Sequence, residues 1–215
     1  MHSLIVIAHP EASSYTRAVA EQVIAGLKED PQNTFEIADL TAEKFDPRYQ
    51  GADYRAFRDL NAPPSDVLAE QSRIDRADLL LLIFPVHWWS MPAMLKGWID
   101  RVFTNGWAYK TTDGEETIGL LGRLAVQTIA IGGATKRTYD KRGYAEAIRT
   151  QIDQGIFDYV GARIVGSELL LPLDATSSKS GLERAREIGA TLNSAVPDGA
   201  VCSPPIRQAY RPSAE

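Results

Sequence analysis

Apolar and polar positions alternate along the chain in two ways, one typical of buried strands and the other of the helices that cover them. The most apolar predicted strand, residues 77–84, contains the continuous apolar run 79–84, and residues 4–8 are continuous as well, as in strands covered on both faces. Residues 34–40 alternate apolar with polar side chains, as an outer strand does. In chain order, the predicted strands are residues 4–8, 34–40, 77–84, 124–133 and 162–173.

Helical spacing separates the predicted strands. Val19, Val23 and Leu27 form one apolar stripe after the first strand. Apolar residues recur at helical intervals over residues 91–102 and predict an amphipathic helix with Pro92 in its first turn. Ser65 is the predicted N-cap of a short helix that extends to about residue 74. The remaining two predicted helices are residues 144–160 and 182–192.

This alternation predicts the fold class and the position of a ligand site. Five strands joined by helices imply right-handed crossovers and a mostly parallel, doubly wound α/β sheet with helices on both faces. Ligands of such sheets bind beyond the carboxyl ends of the strands, which here are followed by loops at residues 8–16, 85–91 and 132–144. Residues 41–64 are interpreted as a polar surface excursion within a single domain, 1–195, and residues 196–215 as a loosely ordered, Pro-rich tail.

Composition narrows the classes of partner. The 215 residues are 44% apolar and 24% charged, which is ordinary for one globular domain. A net charge of -5 without basic runs argues against a nucleic-acid or anionic-membrane partner. Cys202 is the sole cysteine, and no stretch has the length of a membrane span, so a cytoplasmic protein without membrane insertion is expected. The sequence predicts no metal site.

The first loop, AHPEASSYT at residues 8–16, is expected to bind a phosphate. It has neither the G-x-G-x-x-G of a dinucleotide-binding turn nor the G-x-x-x-x-G-K-[ST] of a nucleotide-binding P-loop. It does lead into a helix N-terminus, where unpaired N–H groups and the positive end of the helix dipole favour an anion. The alternative is that Ser13 or Ser14 is only an N-cap. The candidate binding residues are His9, Ser14, Tyr15 and Thr16.

The loop after the third predicted strand carries two adjacent tryptophans. Their rings are suited to cover one face of a flat heteroaromatic group, while the backbone N–H groups of the loop reach its polar edge. The alternative is that the two rings plug the top of the sheet. The candidate binding residues of this loop are Pro85, His87, Trp88 and Trp89.

The loop after the fourth predicted strand combines glycines with tyrosines. Gly132 and Gly133 allow the backbone to approach a ligand closely. Tyr139 and Tyr144 follow in a basic segment, whose charges either contact the ligand or form a solvated face. A phosphate-binding loop and a planar aromatic loop at one edge of a sheet together suggest a flavin nucleotide.

Three stretches resemble the flavodoxin-like NAD(P)H:quinone oxidoreductases, the family of DT-diaphorase and of the ancillary subunits of glutathione-gated potassium efflux systems. They are residues 4–16, residues 69–109 and the Gly132–Gly133 pair, with residues 85–109 the most specific part. The resemblance implies the strand order 2-1-3-4-5 and a bound FAD or FMN, with FAD slightly favoured. It also implies two-electron, ping-pong hydride transfer from NAD(P)H through the flavin to a quinone or similar flat acceptor.

The same resemblance assigns roles to particular residues. It implies that Val86 and Ile131 join the residues named above in holding the flavin ring. The implied wall of the substrate pocket is Trp88, Trp89, Tyr109 and Tyr139, with Tyr109 contributed across a homodimer interface. Tyr139 and Tyr144 are the candidate catalytic residues. Mammalian members carry a tyrosine and a histidine in the last loop, whereas no histidine follows Tyr139 here. Tyr144, Lys141 and Arg142 are the candidates to take the place of that histidine.

Two other classes share this fold. A flavodoxin-type electron carrier has the same cofactor but needs no closed pocket for NAD(P)H, and the aromatic residues Trp107 and Tyr109 argue for a walled site instead. A regulatory ancillary subunit of a membrane transporter keeps the residues of the enzyme, so the sequence does not separate it from a free reductase.

Overall fold

The computed structural model describes residues 1–59, 62–111 and 117–196. Its main sheet is parallel and has the strand order β2-β1-β3-β6-β7. The strands are β1 His2–Ile7, β2 Thr34–Asp39, β3 Leu79–Pro85, β6 Ala125–Ile131 and β7 Arg163–Leu170. Because β4 Tyr109–Thr111 and β5 Thr117–Gly119 pair separately as an antiparallel hairpin, this is the predicted order 2-1-3-4-5. The fold class is therefore confirmed.

Helices cover both faces of the sheet. They are α1 Tyr15–Leu27, α2 Gly51–Asp59, α3 Ser65–Arg76, α4 Ala93–Val102, α5 Lys136–Arg142, α6 Tyr144–Arg149, a π-helix Thr150–Asp158 that continues directly from α6, and α7 Ala175–Ala195. None of the helices in the described ranges combines the length and the apolar character needed to cross a lipid bilayer.

The alternation of side chains along each strand divides the core into two layers. In β1, Leu4 and Val6 are fully buried on the face that also packs α4 and the π-helix. Ile5 and Ile7 are buried on the other face, against α1 and α7. A strand with both faces covered favours apolar residues at successive positions, which explains the continuous apolar runs in the sequence.

Glycines bring α1 and α7 into direct contact. A Cβ at Gly26 would overlap the carbonyl oxygen of Arg186, and a Cβ at Gly189 would overlap that of Val23. The Gly189 Cβ would also lie 3.1 Å from the Cα of Gly26, so each glycine accommodates the backbone of the other helix. The close crossing of α1 and α7 therefore depends on two positions without side chains.

The polar stretch 41–64 contains a helix that the sequence did not predict. Of residues 51–58 of α2, only Asp53 and Ala56 are buried. The Asp53 carboxylate accepts a hydrogen bond of 3.1 Å from Arg101 of α4, which also pairs with Asp66 at 2.6 Å. An ion pair between distant segments, rather than an apolar stripe, positions α2.

Several predicted helix boundaries are wrong. Pro92 is the N-cap of α4 and not a residue of its first turn. Pro64 is the N-cap of α3, so Ser65 is its first residue and not its cap. The single helix predicted at 144–160 is α6 followed by the π-helix, which changes the hydrogen-bond register after Arg149. The helix predicted at 182–192 begins seven positions earlier at Ala175, where Asp174 and Ser177 form a capping box. Of the predicted tail, residues 197–215 lie outside the described residues.

Candidate active site

The three predicted loops follow β1, β3 and β6, which are neighbours in the parallel sheet. Because parallel strands end at the same edge, the loops meet at one crevice. Backbone hydrogen bonds from Ala8 to Ile83 and from Val86 to Ile131 carry the strand pairing up to its rim.

The first loop supplies a helix N-terminus, while its side chains are partly engaged elsewhere. Ser14 is the N-cap of α1 and accepts a hydrogen bond of 3.3 Å from the Arg17 N–H, so the capping interpretation is right for this hydroxyl. His9 holds the loop by accepting the Glu11 N–H at 3.0 Å. The Tyr15 hydroxyl donates to the Ser178 carbonyl of α7 at 2.8 Å, and Thr16 is buried. What the loop presents to an anion is the start of α1.

The loop after β3 is a tight turn with an unusual backbone. His87 and Ser90 exchange two backbone hydrogen bonds of 2.9 and 3.1 Å, and the two residues between them have positive φ, 49° at Trp88 and 63° at Trp89. This is the pattern of a type I′ turn, whose central positions normally hold Asn and Gly. Left-handed backbone at a residue other than glycine costs on the order of 1–3 kcal/mol and is concentrated at functional sites.

The two tryptophan side chains of this turn have different environments. Trp88 is 94% exposed. The Trp89 ring stacks on Tyr144, with centroids 3.7 Å apart and planes 14° apart, and meets Tyr139 edge-on at 5.4 Å. The hypothesis that both rings plug the sheet is therefore wrong for Trp88.

Tyr139 is buried beneath the glycine loop with an unpaired hydroxyl. The residue is 1% exposed, and burial raises the pKa of its hydroxyl. That hydroxyl has no hydrogen-bond partner in the described part of the chain and lies against Gly132, where a Cβ would overlap it. A Cβ at Gly133, by contrast, would meet nothing within 4 Å. The loop thus leaves one hydroxyl donor and one open backbone position for a ligand.

These features line a cavity of about 280 Å³. Its walls are Val86, Trp88, Trp89, Gly133, Ala134 and Tyr139. The N–H groups of Trp88 and Trp89 donate to no acceptor within the described ranges, so they are available to a ligand. Candidates from the second and third loops are brought together here, and Tyr144 joins them through its stack on Trp89.

Tyr109 is not part of this cavity within one chain. It lines a separate cavity of about 430 Å³ between α2, α4 and the π-helix, where its ring meets Tyr159 edge-on at 5.6 Å. Exposed aromatic side chains surround the mouth of this cavity: Tyr49, Tyr54, Phe57 and Tyr159.

Sequence reasoning missed the contribution of the π-helix. Its Gln151 hydrogen-bonds the Ser90 hydroxyl of the strained turn, which ties the turn to this helix. Its Asp153 bonds to Ser167 of β7. The sequence signal for this contribution was Asp153, a carboxylate between the apolar residues Ile152 and Ile156. An apolar stripe does not show, however, that the helix has a π-helical hydrogen-bond register.

Fold and site together define a doubly wound α/β protein with an aromatic ligand site at the carboxyl edge of its sheet. The chain belongs to the flavodoxin-like fold family, whose model matches residues 1–191. It is 33% identical over 170 residues to an uncharacterized NAD(P)H oxidoreductase of Haemophilus influenzae, covering 79% of this chain and 83% of that protein. It is 30% identical to NAD(P)H dehydrogenase [quinone] 1 of Cavia porcellus, covering 78% of this chain and 67% of that protein.

A solved structure agrees with these relatives. The NAD(P)H:quinone oxidoreductase from Methanothermobacter marburgensis superposes with a TM-score of 0.81 at 33% sequence identity. The match covers 89% of this chain and 98% of that one.

Proposed function

We propose that the chain is an oxidoreductase that uses a bound flavin to transfer a hydride from NAD(P)H to a quinone or a similar flat acceptor. The observation that carries the proposal is the strained Trp88–Trp89 turn, which presents one exposed ring and two unpaired N–H groups at a cavity on the carboxyl edge of the sheet. Relatives named NAD(P)H oxidoreductase and NAD(P)H dehydrogenase [quinone] support the same reaction class.

The residues present fit a flavin nucleotide. The start of α1 is suited to its phosphate, because the first N–H groups of a helix are unpaired and its dipole favours an anion. The N–H groups of Trp88, Trp89 and Gly133 are suited to the polar rim of the ring system. Either FMN or FAD satisfies these contacts. When bound, the flavin supplies two-electron hydride chemistry.

The chain's own contribution is orientation, desolvation and charge stabilisation. The faces of Trp88 and Trp89 hold flat partners in a stacked position, so NAD(P)H and the acceptor occupy the same space in turn, which gives ping-pong kinetics. The preorganised N–H groups stabilise negative charge at the rim, each worth on the order of 3 kcal/mol. The buried Tyr139 hydroxyl, having no other partner, is placed to donate a hydrogen bond or a proton into the cavity.

The first test is the colour of the protein. We expect purified protein to be yellow, or to become so with FMN or FAD, and to oxidise NADH or NADPH when a benzoquinone is present. The measurements are the absorbance at about 450 nm and the identification of the released flavin by its mass. A protein that stays colourless after soaking with both flavins contradicts the proposal.

We also propose that the chain forms a homodimer that completes the substrate pocket. The wall around Tyr109 carries exposed aromatic rings, Tyr54 being 52% and Phe57 48% exposed, and such patches are typical of protein interfaces. A two-fold arrangement would let Tyr109 of one subunit face the tryptophan turn of the other. The cytoplasm remains the proposed location.

If this aromatic patch is a dimer interface, a charge placed in it is expected to break the dimer. Tyr54→Arg is expected to convert a dimer of 23.6 kDa chains into monomers and to weaken quinone turnover. Leu173→Arg is the matched control, because Leu173 is similarly exposed but lies outside this patch. Sedimentation velocity at micromolar concentration measures the assembly. A wild type that is fully active as a monomer excludes the dimer.

A further inference from the structure

A second cavity lies behind the candidate site, and Tyr139 forms part of the wall of both. This second cavity has a volume of about 400 Å³ between β6, β7 and the helices α5 and α6 with the π-helix. Apolar side chains such as Phe84 and Leu169 line it beside polar ones, among them Thr128, Asp153 and Ser167. A cavity of this size and polarity has room for several water molecules with hydrogen-bonding partners.

Four carboxylates line this cavity. Asp153 is half-buried and, within the described ranges, forms no ion pair. Its side chain accepts a hydrogen bond of 2.6 Å from the Ser167 hydroxyl. The other three acids differ from it: Asp140 pairs with Lys136 at 2.6 Å, Glu168 pairs with Arg184 at 3.0 Å, and Glu146 is exposed.

The surroundings of Asp153 favour its protonated form. Burial raises the pKa of the Asp153 carboxyl, although the hydrogen bond from Ser167 and the charge of Arg149 oppose the shift. The charged and titratable groups around the cavity are Arg149 and Glu146 from α6, Lys136, Tyr139 and Asp140 from α5, and Glu168 from β7.

The proposed reaction needs a proton that neither substrate supplies. NAD(P)H, a quinone and one proton give NAD(P)⁺ and a hydroquinone: the nicotinamide C–H bond breaks, its hydride reduces the quinone, and one proton completes the second hydroxyl. When the flavin and a flat acceptor fill the pocket, the reacting oxygen of the acceptor is shielded from bulk water, so a protein group is needed to pass the proton inward.

We infer that the proton enters from behind the site, from Asp153 through water in the second cavity to the Tyr139 hydroxyl and then into the substrate pocket. This inference rests on the proposed function. Tyr139 accepts a proton on the cavity side as it releases one on the pocket side, so no charged tyrosinate accumulates. Asp153 acts through Tyr139 and positions the proton, and it is not itself a catalytic residue.

A comparison of two electron acceptors distinguishes a proton-transfer role of Asp153 from a purely structural one. Quinone reduction takes up a proton, whereas two ferricyanide ions take only electrons from NAD(P)H and leave a proton to be released. The test is stopped-flow reoxidation of the reduced holoprotein by benzoquinone and by ferricyanide over about pH 5 to 9. Asp153→Asn keeps an acceptor for the Ser167 hydroxyl and is expected to slow the quinone reaction about tenfold or more while leaving the ferricyanide reaction unchanged.

Variants extend the test to the path itself. Asp158→Asn, at the exposed end of the same π-helix, is the matched control and is expected to leave both reactions unchanged. Tyr139→Phe is expected to slow quinone reduction, and adding Asp153→Asn to it is expected to slow it little further, because both changes interrupt one route. Equal slowing of Asp153→Asn with both acceptors, or no slowing with either, overturns the inference.

The flavin-free protein gives an independent measurement. A carboxyl whose pKa is raised on folding stabilises the protein below its unfolded-state pKa, and that contribution is lost as the pH rises through the raised value. The melting temperature of the wild type is therefore expected to fall relative to that of Asp153→Asn as the pH rises above about 4. A difference independent of pH contradicts a proton-holding Asp153. If the wild type reduces no quinone at all, the proposed function itself fails, and this inference fails with it.

Discussion

Trp88→Gly is expected to stabilise the flavin-free protein and at the same time to impair quinone reduction. Glycine adopts the φ of 49° without the steric cost borne by tryptophan, and a side chain that is 94% exposed contributes no packing to lose. After the extra unfolded-state entropy of glycine, a net gain of about 1 kcal/mol remains. Loss of the aromatic face is expected to lower turnover about tenfold, equivalent to about 1.4 kcal/mol of stacking.

Two further substitutions isolate these effects. Trp88→Ala keeps the unfavourable φ and removes the ring, so its melting temperature is expected to match the wild type while flavin affinity or turnover falls. Trp88→Phe restores a flat apolar face and is expected to recover much of the function. Thermal melts of the flavin-free proteins beside their flavin affinities decide the matter. A lower melting temperature for Trp88→Gly with unchanged flavin affinity would place the tryptophan in the core.

Gly189→Ala is expected to produce the largest loss of stability, about 3 kcal/mol. The new Cβ would overlap the Val23 carbonyl oxygen, and backbone atoms of α1 cannot move aside as a side chain can. The gain in helix propensity from alanine, about 1 kcal/mol, is too small to offset that overlap. For a chain of this length the melting temperature is expected to drop by about 6–12 °C.

Ser194→Ala is the control for this change, since it lies on the exposed side of the same helix. Its effect on the free energy of unfolding is expected to be within about 0.5 kcal/mol. Urea denaturation of both variants gives the comparison. If Gly189→Ala proves as stable as the control, the close crossing of α1 and α7 does not exist in solution.

The sequence predicted those parts of the molecule that a local apolar pattern determines. Continuous apolar strands such as 77–84 require cover on both faces, and alternating strands and helices then leave few ways to connect them. The position of the tryptophan turn at a strand end follows from the same logic. The amphipathic stretch 91–102 became α4, with Leu95, Trp98 and Val102 buried as its spacing indicated.

What the sequence did not predict depends on partners far along the chain or on backbone hydrogen-bond register. The helix α2 is positioned by Asp53 and Arg101, which are separated by 48 positions. The Tyr15 hydroxyl bonds to Ser178, 163 positions away, so its place in the first loop gave no indication of its role. The π-helix has the composition of an α-helix and differs only in which carbonyl each N–H meets.

Tyr139 lines both the substrate pocket and the second cavity, and this shared side chain would separate the transfer of electrons from the transfer of protons. Electrons need a dry, low-dielectric compartment in which fixed dipoles act strongly, whereas protons travel along chains of water. In the proposed route, the buried Tyr139 ring would keep the two cavities apart and its hydroxyl would be the group through which they communicate. The enzyme would then exchange NAD(P)H and its acceptor in the substrate pocket without admitting water there, because the water that carries protons lies in the second cavity.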